Sequence, residues 1–133
     1  MQPALRAIVL FGHGSRDPRW TEPFEALRAE VERQRPDAAV RLAYLEHSAP
    51  DLDAAVASLA EAGHGAVDLV PIFLGAGGHV RTDIPEQAAR VAARRGVVVR
   101  VQPFIGDAAA VLGAIAAHVA RTVGTVAADE GRS

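Results

Sequence analysis

Four short apolar runs, Ala4–Phe11, Val40–Leu45, Ala66–Phe73 and Val97–Val101, recur along the chain with a helix-length segment between each pair. The first is rich in branched residues and ends at Gly12, which is how a buried strand reads, and the second alternates as a strand does. The intervening segments have helical spacing. Phe24, Leu27 and Val31 fall at i, i+3 and i+7, with Thr21 as N-cap, Pro23 in the first turn and Pro36 as terminator. Leu52, Val56 and Leu59 form a second apolar stripe, opened by the capping-box-like Ser48-Ala49-Pro50-Asp51 and closed by Gly63. The third helix is expected to begin at Asp83 as N-cap with Pro85 in its first turn, and to end at Gly96. A final helix is expected from Asp107 to about Val123.

The order βαβαβαβα predicts an α/β domain: a four-stranded parallel sheet with helices on both faces. A strand order 2-1-3-4 places a switch point between the first and third strands, where such folds bind ligands beyond the carboxyl ends. Pro71 should end the third strand or mark an edge. With 133 residues the chain suits one domain, expected over residues 1–124, with a small polar tail at 125–133 expected to fray.

Composition excludes several classes. There is no Cys, so neither disulfides nor thiolate chemistry are available. The net charge is −2, which gives no general attraction to nucleic acid or an anionic membrane. No apolar run approaches the ~18 residues of a membrane span. The N-terminal run lacks the pattern of a signal peptide, and a cytoplasmic protein is expected.

The chemistry gathers just past the strands. His13 follows the first, Glu46 the second and His79 the third. Neighbouring strands lie ~4.8 Å apart, so side chains at their ends can meet. Two imidazoles and a carboxylate suit a divalent transition metal such as Co²⁺, Ni²⁺ or Fe²⁺. Gly12, Gly14, Gly77 and Gly78 flank the histidines and would let a flat ligand approach the backbone. Arg16, Arg19 and Arg81 stand close by in sequence, and guanidinium forks suit carboxylates. His47 is a spare ligand or a solvated cap residue. His64 and His118 read as structural. Trp20 and Phe24 either line a cleft or anchor the first helix.

Three stretches carry a resemblance. Ile8–Pro18 (IVLFGHGSRDP), Ala43–Pro50 (AYLEHSAP) and Val70–Pro85 (VPIFLGAGGHVRTDIP) resemble the signatures of the sirohydrochlorin chelatase family, and more narrowly its small single-domain cobaltochelatase branch. The resemblance implies a class II chelatase fold and a lyase that inserts a divalent metal into sirohydrochlorin, on the way to cobalamin or sirohaem. It places the family's metal-ligand histidines on His13 and His79 and its acidic residue on Glu46. The metal is then a substrate, and no organic cofactor is implied. Single-domain members resemble half of a two-domain chelatase, which implies a homodimer. The chain lacks the His-rich segment of some small members.

Two rival readings remain at this level. His13-Gly14-Ser15-Arg16 matches the core of a histidine phosphatase, but Gly12 stands where that family needs Arg. A metal or tetrapyrrole carrier could use the same site without turnover. The last helix carries no charge from Ala108 to Ala120. Such a helix is buried deeply or by a partner, so Val111, Leu112, Ile115 and Val119 are expected to serve the dimer interface or its support.

Overall fold

The computed structural model describes residues 6–124. Its elements are β1 (Arg6–Gly12), α1 (Glu22–Gln34), β2 (Ala38–Tyr44), α2 (Leu52–Glu61), β3 (Ala66–Pro71), α3 (Gly78–Arg95), β4 (Val98–Val101) and α4 (Ala109–Thr122). Short 3₁₀ turns precede α1 at Pro18–Thr21 and α4 at Ile105–Asp107. All strands are parallel, in the expected order β2-β1-β3-β4. β3 stops at Pro71, where the next amide, Ile72 N–H, still donates to the Phe11 carbonyl at 2.8 Å. The expectation for a tail at 125–133 falls outside the described residues.

Alternation along β1 divides the sheet. Ala7, Val9 and Phe11 join Val67 and Leu69 of β3 on one face, under Leu52, Ala55, Val56 and Leu59 of α2 and Ile84, Ala88 and Val91 of α3. Ile8 and Leu10 join Val40 and Leu42 on the other, under Trp20, Phe24 and Val31 of the α1 segment. The α2 stripe is as the spacing predicts, and Gly63 follows the helix with φ +99°. Trp20 and Phe24 stack at 4.8 Å and both meet the Tyr44 ring edge-on, so they anchor α1 rather than line a cleft.

Four local expectations are corrected. α3 begins at Gly78 with Gly77 as N-cap, six residues before the expected N-cap, so Asp83 and Pro85 lie inside the helix. The glycines admit the chain to the first turn, Thr82 Oγ1 donates back to the Gly78 carbonyl, and the helix absorbs Pro85, which lacks an N–H. Asp107 does not open α4. A 3₁₀ turn ends on it, and Ala108 is the N-cap. Ser48 does not cap α2. Asp51 does, accepting from Ala54 N–H at 2.9 Å, while Ser48 turns to the loop after β1. Thr21 occupies the N-cap position of α1, but its hydroxyl donates to the Pro18 carbonyl rather than capping the helix.

The least expected feature is α4. It buries no residue, and its one substantial contact is with the 3₁₀ turn that precedes it. The sheet therefore has two helices on one face and only α1 on the other. Leu69 lies at the centre of the covered face with no exposure. Leu69→Ala should cost about 2–5 kcal/mol in chemical denaturation, and a loss under 1 kcal/mol would show that this face is not the core.

Candidate functional site

The parallel register brings the carboxyl ends of β1, β2 and β3 to one rim, with Gly12 opposite Tyr44 and Phe11 opposite Pro71. The loops after β1 and β2 are then laced together. Leu45 N–H donates to Gly12 O at 2.9 Å and Glu46 N–H to His13 O at 3.0 Å. Ser48 Oγ accepts from Ser15 N–H at 3.0 Å and donates to Ser15 O at 2.9 Å. Gly14 sits at φ +94° directly against this seam, and a Cβ there would stand 1.7 Å from the Glu46 carbonyl oxygen. Only glycine permits that approach.

The lacing sets His13 beside Glu46, with Nε2 3.4 Å from Oε1. His13 Nδ1 lies 3.2 Å from the Gly14 carbonyl. In the tautomer that donates Nδ1–H to this carbonyl, the Nε2 lone pair faces the carboxylate oxygen. Two electron-pair donors so placed can together hold a cation. His47, whose backbone has φ +65°, lies on the other side of the carboxylate. Its Nε2 is 3.6 Å from the same Glu46 oxygen, and its Nδ1 accepts from Arg16 Nε–H at 3.4 Å.

His79 belongs to a second pair. It occupies the first turn of α3, and its Nε2 lies 2.9 Å from Asp83 Oδ2, one helical turn further on. The two pairs are separate. Among the described residues no three His, Asp or Glu side chains converge closely enough to enclose a metal ion. His13, Glu46 and His79 are respectively 50%, 51% and 89% exposed at the side chain, so a large ligand can reach all of them.

Aromatic contacts lead inward from His13. Phe73 meets the His13 ring edge-on at 6.4 Å and the buried Phe104 ring at a tilt at 6.0 Å, and the Arg81 guanidinium lies 4.8 Å above the Phe104 ring. Arg81 also grips Asp107 through two hydrogen bonds of 2.9 and 3.0 Å. That grip holds the Asp107 carboxyl below its usual range. Arg19 is likewise forked on Asp17, whose carboxyl it lowers. Arg16, in contrast, has no carboxylate partner among the described residues and touches only an imidazole. Gly77 and Gly78 face open space, with no atom within 4 Å of where a Cβ would stand.

The sequence singles out the two histidines, Glu46 and the arginines; the structure adds Asp83 beside His79, Phe73 beside His13 and Phe104 beneath Arg81. Asp83 was readable as a His79 partner from its i, i+4 spacing, once the helix start is placed at Gly77. The two phenylalanines carry no signal that separates them from core residues.

Comparison with known proteins agrees with this architecture. The CbiX family profile matches residues 7–122. A sirohydrochlorin cobaltochelatase of Methanosarcina acetivorans is 35% identical over 78 residues, 59% of this chain and 60% of the relative. One from Methanopyrus kandleri is 36% identical over 60% of this chain and 56% of the relative. The chain thus spans about 60% or less of the length of these curated relatives in the matched regions. The crystal structure of a CbiX protein from Marinobacter aquaeolei VT8 superposes with a TM-score of 0.79 at 36% identity, over 88% of this chain and 96% of that one. The sirohydrochlorin chelatase SirB from Bacillus subtilis subspecies spizizenii, in complex with cobalt, superposes with a TM-score of 0.66 at 25% identity, over 75% of this chain and 43% of that one.

The two glycine environments make a paired prediction. Gly14→Ala should destabilise the protein by about 1–3 kcal/mol, through its left-handed backbone and the collision with the Glu46 carbonyl. Gly77→Ala should leave thermal stability nearly unchanged. Equal midpoints for the two variants would show that the seam is not rigid. On the family profile, the sheet order and the rim together, the chain belongs to the CbiX family.

Proposed function

We propose that this protein is a cytoplasmic chelatase that inserts a divalent metal, Co²⁺ foremost and Fe²⁺ or Ni²⁺ as alternatives, into sirohydrochlorin. The observation that carries the reading is the His13–Glu46 pair at 3.4 Å, placed at the carboxyl end of the sheet beside an open, glycine-lined rim. The relatives' names supply the substrate class, and the SirB structures, one with cobalt and one with Fe³⁺, supply the metal class.

Each residue then has a role. His13 and Glu46 hold the incoming metal from one side, and His79 contributes a second imidazole, which Asp83 orients. Metal entry requires loss of two pyrrole N–H protons, and at this exposed rim both would pass to water, an imidazole accepting one only while its lone pair is free of the metal. Phe73 offers the ring an apolar wall, and Gly77 and Gly78 give its plane clearance. Arg16, Arg19 and Arg81 face the substrate carboxylates. Arg16 comes first, because it has no internal carboxylate to give up.

The working unit in this reading is a homodimer. A macrocycle has two faces, and the open rim of one chain offers one wall. The match to only 43% of the SirB chain fits a unit that is used in pairs. A carrier that binds without turnover remains the second reading, and the exposure of the whole site favours it as much as catalysis. The phosphatase alternative has no support from the family to which the chain belongs.

Anaerobic incubation of purified protein with excess sirohydrochlorin and Co²⁺, followed by absorbance, tests the proposal. Many product equivalents per chain are expected above the spontaneous rate. One equivalent or fewer would favour the carrier. His13→Ala and His79→Ala should each lower the rate at least ~10–100-fold, as loss of a metal-orienting group does, with thermal midpoints unchanged within a few degrees. Full activity in either variant would overturn its role. Arg16→Ala should raise KM for sirohydrochlorin more than it lowers kcat, since it removes uniform binding. An unchanged KM would remove Arg16 from the substrate site.

A further inference from the structure

The loops after β1 and β2 meet residue against residue. His13 faces Glu46, Ser15 holds Ser48, and Arg16 donates to His47. His47 stands where the backbone is strained. Its φ is +65°, and Ser48 N–H donates across it to the Glu46 carbonyl at 2.8 Å. An i to i+2 hydrogen bond around a residue at positive φ is the rare, strained form of γ-turn. Glycine suits that position better than any residue with a Cβ. Strain of this kind persists only where the surroundings hold it, and it gathers at functional sites. The double bond between Ser48 and Ser15 holds it here. At the side chain His47 is 36% exposed, against 50% for His13 and 89% for His79, so it is the most enclosed of the three rim histidines.

The contacts of the ring fix its proton. A guanidinium only donates, so Nδ1, 3.4 Å from Arg16 Nε, is the acceptor. The proton of the neutral ring is then on Nε2, which stands 3.6 Å from Glu46 Oε1. That approach is long for a hydrogen bond, and a small rotation of either side chain closes it. Neither nitrogen keeps a free lone pair, so His47 is not a spare metal ligand while it holds Arg16. A carboxylate oxygen has more than one lone pair, so Glu46 can accept from His47 and still face a cation at His13.

We propose that His47 is a positioning residue that couples the metal-accepting pair to the substrate-facing arginine. Its Nε2–H directs the Glu46 carboxylate, and its Nδ1 holds Arg16, the rim arginine with no carboxylate partner among the described residues. The imidazole is planar and rigid, so the two contacts are set together. The strained turn is what aims the ring at both. The inference rests on the chelatase reading above, in which Glu46 receives the metal and Arg16 a substrate carboxylate.

Three substitutions separate the two contacts. His47→Gly keeps the turn, because glycine adopts positive φ freely, and deletes both. His47→Asn tolerates the same backbone, and its amide oxygen falls near the Nδ1 position, so it keeps an acceptor for Arg16 without reaching Glu46. His47→Gln carries an amide N–H near the Nε2 position, so it keeps a donor to Glu46 without the acceptor for Arg16. Calorimetric Co²⁺ binding, anaerobic insertion kinetics and thermal midpoints are measured on all three and on the wild type. His47→Gly should weaken Co²⁺ binding about 10-fold, as loss of a group that orients a metal ligand does. It should raise KM for sirohydrochlorin roughly 5-fold, as loss of one hydrogen bond does, with the midpoint within a few degrees. His47→Asn should restore KM alone, and His47→Gln metal affinity alone. In an Arg16→Ala background, His47→Gly should add nothing further to KM. Wild-type affinity and KM in His47→Gly would overturn the inference. So would Asn and Gln variants that fail alike with lowered midpoints, the mark of a purely structural role. A wild-type protein that neither binds Co²⁺ nor inserts it would overturn the chelatase reading itself, and this inference with it.

Discussion

The site depends on the pairing of β1 between β2 and β3. Parallel pairing aligns the carboxyl ends of all three strands, and a one-residue slip would turn His13 and the buried Phe11 toward opposite sides of where they stand. Burial of Val9, Phe11 and Leu69 fixes that register. The loop bonds from Leu45 and Glu46 back to Gly12 and His13 carry it two residues beyond the sheet. Core packing and site geometry are therefore one constraint: the apolar alternation that buries β1 also sets His13 beside Glu46.

Charge on the rim is arranged in local pairs. Arg19 with Asp17 and Arg81 with Asp107 are bidentate but solvent-exposed, so each contributes little to stability. Their effect is positional. The Arg81–Asp107 clamp joins the first turn of α3 to the mount of α4, and the same guanidinium covers Phe104. A carboxylate ligand arriving at Arg81 would compete with Asp107, which links occupancy of the rim to the root of the last helix. Arg16 meets no such competition.

Much of this was legible in the sequence because the apolar runs and the glycines state their constraints locally. The alternation of strands and helices and the α2 stripe followed from patterning alone, while the strand order 2-1-3-4 was one of the topologies that patterning allows. The start of α3 did not follow from it, because Gly77 and Gly78 read as loop, and their role as N-cap and first turn depends on the body that holds them. The separation of His79 from the His13–Glu46 pair was also invisible, since strand spacing says where side chains can meet and not which neighbour each takes. Asp83, one turn beyond His79, is the neighbour it takes. For α4 the lack of charge was plain, but that the helix buries no residue against its own sheet shows only in three dimensions.

The central claim is that the carboxyl ends of β1, β2 and β3 form one metal-accepting rim. Titrating Co²⁺ into isotope-labelled protein and following backbone amide resonances tests this directly, because a paramagnetic ion broadens what lies near it. Broadening is expected to centre on His13, Glu46 and His47, to extend to the first turn of α3 at His79, and to be lost in a Glu46→Gln, His13→Ala protein. Broadening centred elsewhere, such as on Asp51 and Asp53 at the start of α2, or left unchanged in that double variant, would contradict it.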